Sequence, residues 1–428
     1  MRKIIIILFV IFLSVGMLFS QEVSLKEQAL SEFRKEHYNE AISLLEKAVV
    51  QTPQDADLYY YLGWFNHYRA YDSRPLTGYD YAYSTRIFGY LDKALEINPN
   101  YGDAKYFYGA ECSGNAFLAM QNYDADKLRH FYKLAFDKGA YPPWLVEFGR
   151  NFLTGCDRDA IVFTGGNLDF DICTYLQLVE KKRQDITVIP LGNLDRPWYV
   201  LFLKRGLENC VRSVKINLTE QQIMDIHPFK WRATDVAINI SRRDCAIYNL
   251  PENSKFVWNV RPDLTSERMH TKMEGEEAKP RTYLSPQRAV LLQIIENNMG
   301  ERPIYFSIFA DPSFYGGLET NFQNCGLVSR LIPVVAEKES AAYDVTKLEA
   351  LFNMKNLENY NTIKTQDLPR VSGVVMYGYS LTLRNLADIY RKSGKTKELE
   401  QLSELYTKWL KIGFNPDYEE SVSEGLKR

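Results

Sequence analysis

Two short apolar runs place the strongest constraint on how this chain can fold. The runs AIVFT, at residues 160–164, and ITVIPL, at residues 186–191, are apolar throughout and do not alternate with polar residues. Between them, Ile172, Tyr175 and Val179 recur at helical spacing. A strand that is apolar on both faces belongs inside a parallel sheet, because helices cover both of its faces. The order strand, helix, strand therefore predicts the start of a doubly wound, mostly parallel α/β domain.

The segment before this domain has a helical period and resembles tetratricopeptide repeats. Small and large apolar residues occupy the positions of a helical pair, and a proline closes it: Ala29, Ala41, Leu45, Ala48 and Pro53. A tyrosine-rich stretch at residues 71–86 interrupts the second unit, and such an insertion maps to a loop. We therefore expect helical pairs that stack face to face as in a solenoid.

Four parts follow from these patterns. We predict a signal peptide at residues 1–20, a repeat-like helical domain at 21–140, an α/β domain at 141–340 and a helical segment at 341–428. The second boundary is placed where the composition changes, around the stretch GAYPPWL. Near the C-terminus, Leu386, Ala387, Tyr390 and Gly394 follow the repeat pattern once more, which predicts a helical hairpin.

The first twenty residues predict export. Arg2 and Lys3 precede an apolar run that ends at Phe19, and Ser20 follows it. This order is typical of a secretory signal, and the run is short for a spanning helix, so we favour cleavage over an uncleaved membrane anchor. We expect a periplasmic or secreted protein that is at most peripheral to the membrane.

Composition excludes several classes of function. Acidic and basic residues nearly balance, at 54 and 52, which argues against a nucleic-acid partner. The six cysteines and five histidines are scattered without the spacing of a metal site or redox motif, so no metal and no cofactor is predicted. An oxidising compartment would permit a disulfide, but the spacing does not select one.

The turn after the first apolar run carries the candidate ligand site. In open α/β sheets, ligands bind beyond the carboxyl ends of the strands, where two such turns would lie side by side. Carboxylates there could bind a cation or sugar hydroxyls, with amides as partners. The alternative is that the acidic residue only caps the following helix and the glycines supply the turn. The candidate residues are Thr164, Gly166, Asn167, Asp169, Asp171, Asn193 and Asp195.

Tyrosines in the helical domain are candidates for contact with a partner. Their rings suit peptide or sugar recognition, and they suit ordinary helix packing equally well. The candidates are Tyr59, Tyr79, Tyr81 and Tyr83.

Three ordered blocks of the α/β region follow the pattern of a known family. The first block matches at Phe163, Thr164, Gly166, Asp169, Tyr175 and Gln177. The second matches at Asp185, Val188, Leu191, Leu194, Trp198 and Tyr199. The third matches at Arg302, Pro303, Tyr305 and Phe306, followed by Gly317, Leu318 and the stretch GLVSRLIP. These blocks resemble the soluble C-terminal region of the bacterial protein O-mannosyltransferase-like family, whose full-length members carry a polytopic membrane domain first.

This chain departs from the family pattern inside the candidate loop. Gly165, Asn167 and Leu168 replace an asparagine, an aspartate and a second asparagine of the family, and Asp171 is additional. The membrane domain, in which the resemblance places glycosyl transfer from a lipid-linked sugar, has no counterpart in the sequence. The resemblance therefore implies an accessory domain rather than a self-sufficient transferase.

Two functions remain open from the sequence. The first is an exported, non-catalytic scaffold that binds a partner protein or peptide through its repeats and is accessory to envelope glycan or glycoprotein processing. The second is an envelope carbohydrate-binding protein or glycan-active enzyme that uses Asp169, Asp171 and Asp195. No nucleophile and base pair is visible, so no catalytic residue is assigned.

Overall fold

A computed structural model describes residues 24–72, 78–208, 210–263, 283–336, 339–363 and 368–411. Contacts divide the chain into two compact units, Met1–Glu111 and Cys112–Arg428. The boundary placed near residue 140 by the sequence lies within the second unit. The predicted signal peptide lies outside the described residues.

The first unit is helical, as the sequence predicts. Its helices are α1 (Leu25–Arg34), α2 (Tyr38–Gln51), α3 (Ala56–Asp72), α4 (Ser84–Ile97) and the start of α5 (Gly102–Gln121). Ser24 and Glu27 form a capping box that begins α1. Consecutive helices are in contact with one another from α1 to α4. Short loops connect α1 to α2 and α2 to α3, which makes these neighbours antiparallel.

Small side chains set the helix spacing in this unit. Ala29, Ala41 and Leu45 have no solvent exposure, and they form one apolar core with residues of α3. Between α3 and α4, a Cβ atom at Gly63 would lie 2.7 Å from the Leu91 side chain. A side chain at this position would therefore have to displace the buried Leu91 side chain.

The second unit contains a mixed sheet of five strands, which confirms the α/β class. The strand order is β2-β1-β7-β9-β8. Strand β1 (Ile161–Thr164) pairs in parallel with β2 (Thr187–Pro190) and β7 (Ile304–Ser307). The other two strands, β8 (Phe322–Asn324) and β9 (Val328–Leu331), are antiparallel to their neighbours. Parallel pairing, expected for most of the sheet, is thus confined to one side of it.

Two small antiparallel pairs lie outside this sheet. They are β3 (Phe229–Lys230) with β6 (Tyr283–Leu284) and β4 (Thr234–Asn239) with β5 (Lys255–Val260). The helices of the second unit that follow α5 are α6 (Ala125–Asp137), α7 (Pro143–Gly155), α8 (Asn167–Leu178), α9 (Pro197–Arg205), α10 (Glu220–Met224), α11 (Arg242–Ile247), α12 (Pro286–Asn298), α13 (Glu339–Ala342), α14 (Val345–Leu351), α15 (Pro369–Lys392) and α16 (Thr396–Lys411).

The last described part of the chain is helical, as expected. Helices α15 and α16 are in contact and are separated by a short turn, which makes them the predicted hairpin. Within the described ranges, no helix is both long and apolar enough to cross a membrane.

One predicted strand is wrong. The run CAIYNL, at residues 245–250, reads as a strand from its apolar content, but its first residues lie in helix α11. Ser241 caps that helix by accepting a hydrogen bond from the Asp244 backbone N–H at 3.0 Å. A short apolar run does not distinguish strand from helix, and the cap decides between them.

Candidate functional site

The turn between β1 and α8 is closed by the Asp169 carboxylate. Its Oδ2 accepts a hydrogen bond from the Gly165 N–H at 3.0 Å, and its Oδ1 accepts one from the Gly166 N–H at 3.1 Å. The Ser307 hydroxyl, at the end of β7, donates to the same carboxylate. Asp169 is almost fully buried, and burial raises the pKa of its carboxyl group. The hydrogen bonds lower this pKa, but burial has the larger effect. The side chain thus holds the turn against the sheet.

Gly165 has a steric role in this turn. A Cβ atom at this position would lie 2.2 Å from the backbone carbonyl oxygen of Phe309, in the loop after β7. At Gly166, by contrast, a Cβ atom would meet nothing within 4 Å. The two loops therefore touch at Gly165, and the backbone there leaves no room for a side chain.

Asp171 points to a different set of partners. Its Oδ1 accepts hydrogen bonds from the Ser113 hydroxyl of α5 at 2.8 Å and from the Tyr132 hydroxyl of α6 at 3.1 Å. Burial raises the pKa of Asp171 to about 7, and the nearby charge of Asp169 adds to the increase. The two carboxylates of the loop are therefore used separately, one by the turn and one by the helices α5 and α6.

The other candidates lie at the same edge of the sheet. Strands β1 and β2 are neighbours, so the two predicted turns do come together. Thr164 ends β1 and is fully buried, and its hydroxyl has no hydrogen-bond partner among the described residues. Asn167 is the exposed first residue of α8. Asn193, largely buried, ends a short 3-10 turn that follows β2.

Asp195 is exposed and has its own partner. Its Oδ2 accepts a hydrogen bond from the Gln287 side chain at 2.7 Å. In the described ranges, no group of three or more His, Cys, Asp or Glu side chains has the geometry of a metal site. Each of the three carboxylates singled out by the sequence thus binds a different set of groups.

A second candidate surface lies in the first unit. We call His67, Tyr71, Tyr79 and Tyr81 the aromatic cluster. The Tyr79 ring lies 5.3 Å from His67, 4.8 Å from Tyr71 and 5.1 Å from Tyr81, between ring centroids. Tyr71 is 50% exposed, and Tyr68, one residue beyond His67 on α3, is 44% exposed. These rings form a continuous patch that is partly open to solvent.

A buried acid holds the aromatic cluster from below. Glu111 has no solvent exposure, and its Oε2 accepts hydrogen bonds from the Tyr79 hydroxyl and from His67 Nδ1, the latter at 2.9 Å. Its Oε1 accepts a hydrogen bond from the Ser84 hydroxyl at 2.5 Å. Sequence reasoning missed Glu111 and His67, because they are 44 residues apart and no local spacing links them.

The other tyrosine candidates make hydrogen bonds within the first unit. The Tyr59 hydroxyl donates to the Pro53 carbonyl at 3.3 Å. The Tyr83 hydroxyl accepts a hydrogen bond from Arg69 Nε at 3.0 Å. Tyr79 and Tyr83 thus serve helix packing through their hydroxyl groups. Tyr81 is half-buried, and its ring packs on Tyr79.

The second unit matches a known family model. The model is described as TMEM260-associated domain 2, and it matches residues 145–247 and 260–350. The matched ranges contain the three blocks that resemble the O-mannosyltransferase-like family. No curated protein gives a significant match to this chain.

Proposed function

We propose that this chain is an exported, non-catalytic binding protein whose first unit captures a partner protein or peptide through the aromatic cluster. The observation that carries the proposal is the patch around Tyr71, which is partly open to solvent and rests on the hydrogen-bonded Glu111 side chain. Tyrosine is enriched at interfaces because it offers a large contact area with few rotatable bonds. Glu111 accepts hydrogen bonds from Tyr79 and His67, which fixes these two rings, so they lose little conformational entropy on binding.

The second unit would serve as a platform that is accessory to envelope glycan or glycoprotein processing. Support comes from the match to the TMEM260-associated domain and from the three blocks that resemble the O-mannosyltransferase-like family. The absence of catalysis is supported by the separate use of Asp169, Asp171 and Asp195, since a general acid and base must reach one substrate.

Substitutions in the aromatic cluster test the proposal. Tyr71→Ala and Tyr81→Ala should each weaken partner capture by about 1 kcal/mol or more, which is about fivefold in affinity. Tyr377→Ala is the matched control, because Tyr377 is 41% exposed on α15 of the second unit. Capture is measured by quantitative pull-down of the chain and its variants from envelope extract, alongside their melting temperatures.

Two results would contradict the proposal. One is unchanged capture by both cluster variants when the control behaves like the parent chain. The other is loss of the cellular function in an Asp169→Asn variant that melts at the same temperature as the parent chain. The second result would instead favour a carbohydrate-binding or enzymatic role of the turn after β1.

A further inference from the structure

A cavity opens on one face of the antiparallel side of the sheet, near the carboxyl end of β7. Its volume is about 200 Å³. The strand register places Phe306 opposite Ser329 and Ser329 opposite Asn324, so the three side chains share a face. Phe322 and Tyr315 also line the cavity, and Leu381 of α15 covers it. All of these residues belong to the second unit, and none belongs to the turn after β1.

Aromatic rings form one wall of the cavity. The centroids of Phe306 and Tyr315 are 5.2 Å apart, those of Phe306 and Phe322 are 5.3 Å apart, and those of Tyr315 and Phe322 are 4.9 Å apart. The Phe306 ring is buried beneath the others, and Tyr315 and Phe322 are half-buried. The wall therefore offers apolar contact to a ligand that enters from the open side.

Polar groups are available beside this wall. Ser329 lines the cavity and is half-buried, so its hydroxyl can donate to and accept from a ligand there. Asn324 accepts a hydrogen bond from the Gly326 N–H at 3.1 Å through Oδ1, which leaves its amide NH₂ group to donate. Ser307 also lines the cavity, but its hydroxyl is occupied by Asp169 and by the Phe309 N–H.

The lining limits the chemistry and the size of a ligand. None of the lining residues is charged. A charged ligand would lose its hydration there without gaining a counter-charge, which is costly. A cavity of about 150 Å³ accommodates one benzene molecule. A volume of about 200 Å³ thus suits one six-membered ring with small substituents.

From these contacts we infer that the second unit binds a neutral, polyhydroxylated ring, which is the chemistry of a single hexose unit. The planes of Tyr315 and Phe322 are 75° apart, so the apolar face of the sugar ring lies against one of these rings and its edge against the other. Its hydroxyl groups exchange hydrogen bonds with the Ser329 hydroxyl and the Asn324 amide. This site is separate from the aromatic cluster that carries the proposed partner binding, and either can fail without the other.

Titration of the full chain with neutral hexoses tests the site. The probes are glucose, mannose, galactose and N-acetylglucosamine, followed by ligand-detected NMR and calorimetry. Leu381→Trp fills the cavity and should lower the affinity by about tenfold or more. Ser329→Ala removes one hydrogen bond and should lower it by about fivefold. Val374→Trp is the matched control on the same helix, since Val374 is 40% exposed and does not line the cavity, and it should bind like the parent chain.

Three outcomes would overturn this inference. The first is that none of the four sugars binds. The second is that binding is unchanged in Leu381→Trp while circular dichroism and the melting temperature show an intact fold. The third is that glucose 6-phosphate binds more tightly than glucose, because no lining residue carries a counter-charge for the phosphate. If Leu381→Trp does not fold, unchanged affinity in both Ser329→Ala and Asn324→Ala would overturn the inference in its place.

Discussion

At the scale of single residues, Asp171 makes stability depend on pH. Its pKa is raised by burial from 3.8 to about 7, so the folded chain holds a proton that the unfolded chain releases. The associated stability is complete below about pH 4 and is lost as the pH rises through about 7. The loss is on the order of 4 kcal/mol at most.

Asp171→Asn should remove this pH dependence. Asparagine cannot ionise, and its Oδ1 can still accept hydrogen bonds from Ser113 and Tyr132. The free energy of unfolding of the parent chain and the variant is measured with urea from about pH 4 to about pH 8. As the pH rises, the value for the variant should increase relative to that of the parent chain. If the unfolding free energies of the two chains changed in parallel with pH, the pKa of Asp171 would not be raised by folding.

Asp169 and Asp195 form a contrasting pair for mutation. Asp169→Asn replaces one acceptor oxygen with an NH₂ group that faces a backbone N–H, and the site is buried. The free energy of unfolding should fall by about 1–3 kcal/mol. Asp195→Asn at an exposed position should change it by less than about 0.5 kcal/mol. Chemical denaturation measures both, and equal effects would remove the structural role given to Asp169.

At the scale of elements, the turn between β1 and α8 depends on one glycine rather than two. Gly165→Ala would force its Cβ atom against the Phe309 carbonyl oxygen, so β1, α8 or the loop after β7 must move. We expect a loss of about 2 kcal/mol or more. Gly166→Ala has open space around it and should stay within about 0.5 kcal/mol of the parent chain. A lower melting temperature for Gly166→Ala than for Gly165→Ala would refute this account.

The start of α8 explains why the sequence placed the site carboxylates together. In the sequence, the helical period is marked by Ile172, Tyr175 and Val179, so Asp169 and Asp171 both lie before it, in the candidate loop. The structure begins α8 at Asn167, with Gly166 as its N-cap. Residues two apart on a helix do not share a face, so the two side chains diverge. Element type was predictable from the apolar period, whereas the N-cap was not, because glycine carries no side-chain signal.

The direction of the later strands could not be predicted from the sequence either. The apolar runs at β7 and β9 both indicate strands, and the parallel pairing of β1 with β2 was predicted from the intervening helix. An apolar run shows burial but carries no sign of its direction. The antiparallel half of the sheet, and with it the cavity beside Phe306, follows only from the pairing of Phe306 with Ser329.

At the scale of the whole molecule, the cysteines bear on the predicted export. All six are free thiols, and all six are buried. Burial raises the pKa of Cys325 to about 12 and raises the pKa values of Cys156 and Cys173 as well. A higher pKa leaves less thiolate, which is the reactive form. Burial would therefore protect the thiols of an exported chain from oxidation once it has folded.

Thiol titration tests this protection. The folded, unreduced protein should react slowly with a thiol reagent, and the denatured protein should show all six thiols. Cys210 should react first, because it is the most exposed of the six. The Cys210→Ser variant should remove that first phase and leave five thiols that react only on unfolding. If the denatured parent chain showed fewer than six thiols, a disulfide would have formed after export. If several thiols of the folded chain reacted rapidly, the core would open readily and burial would not protect them.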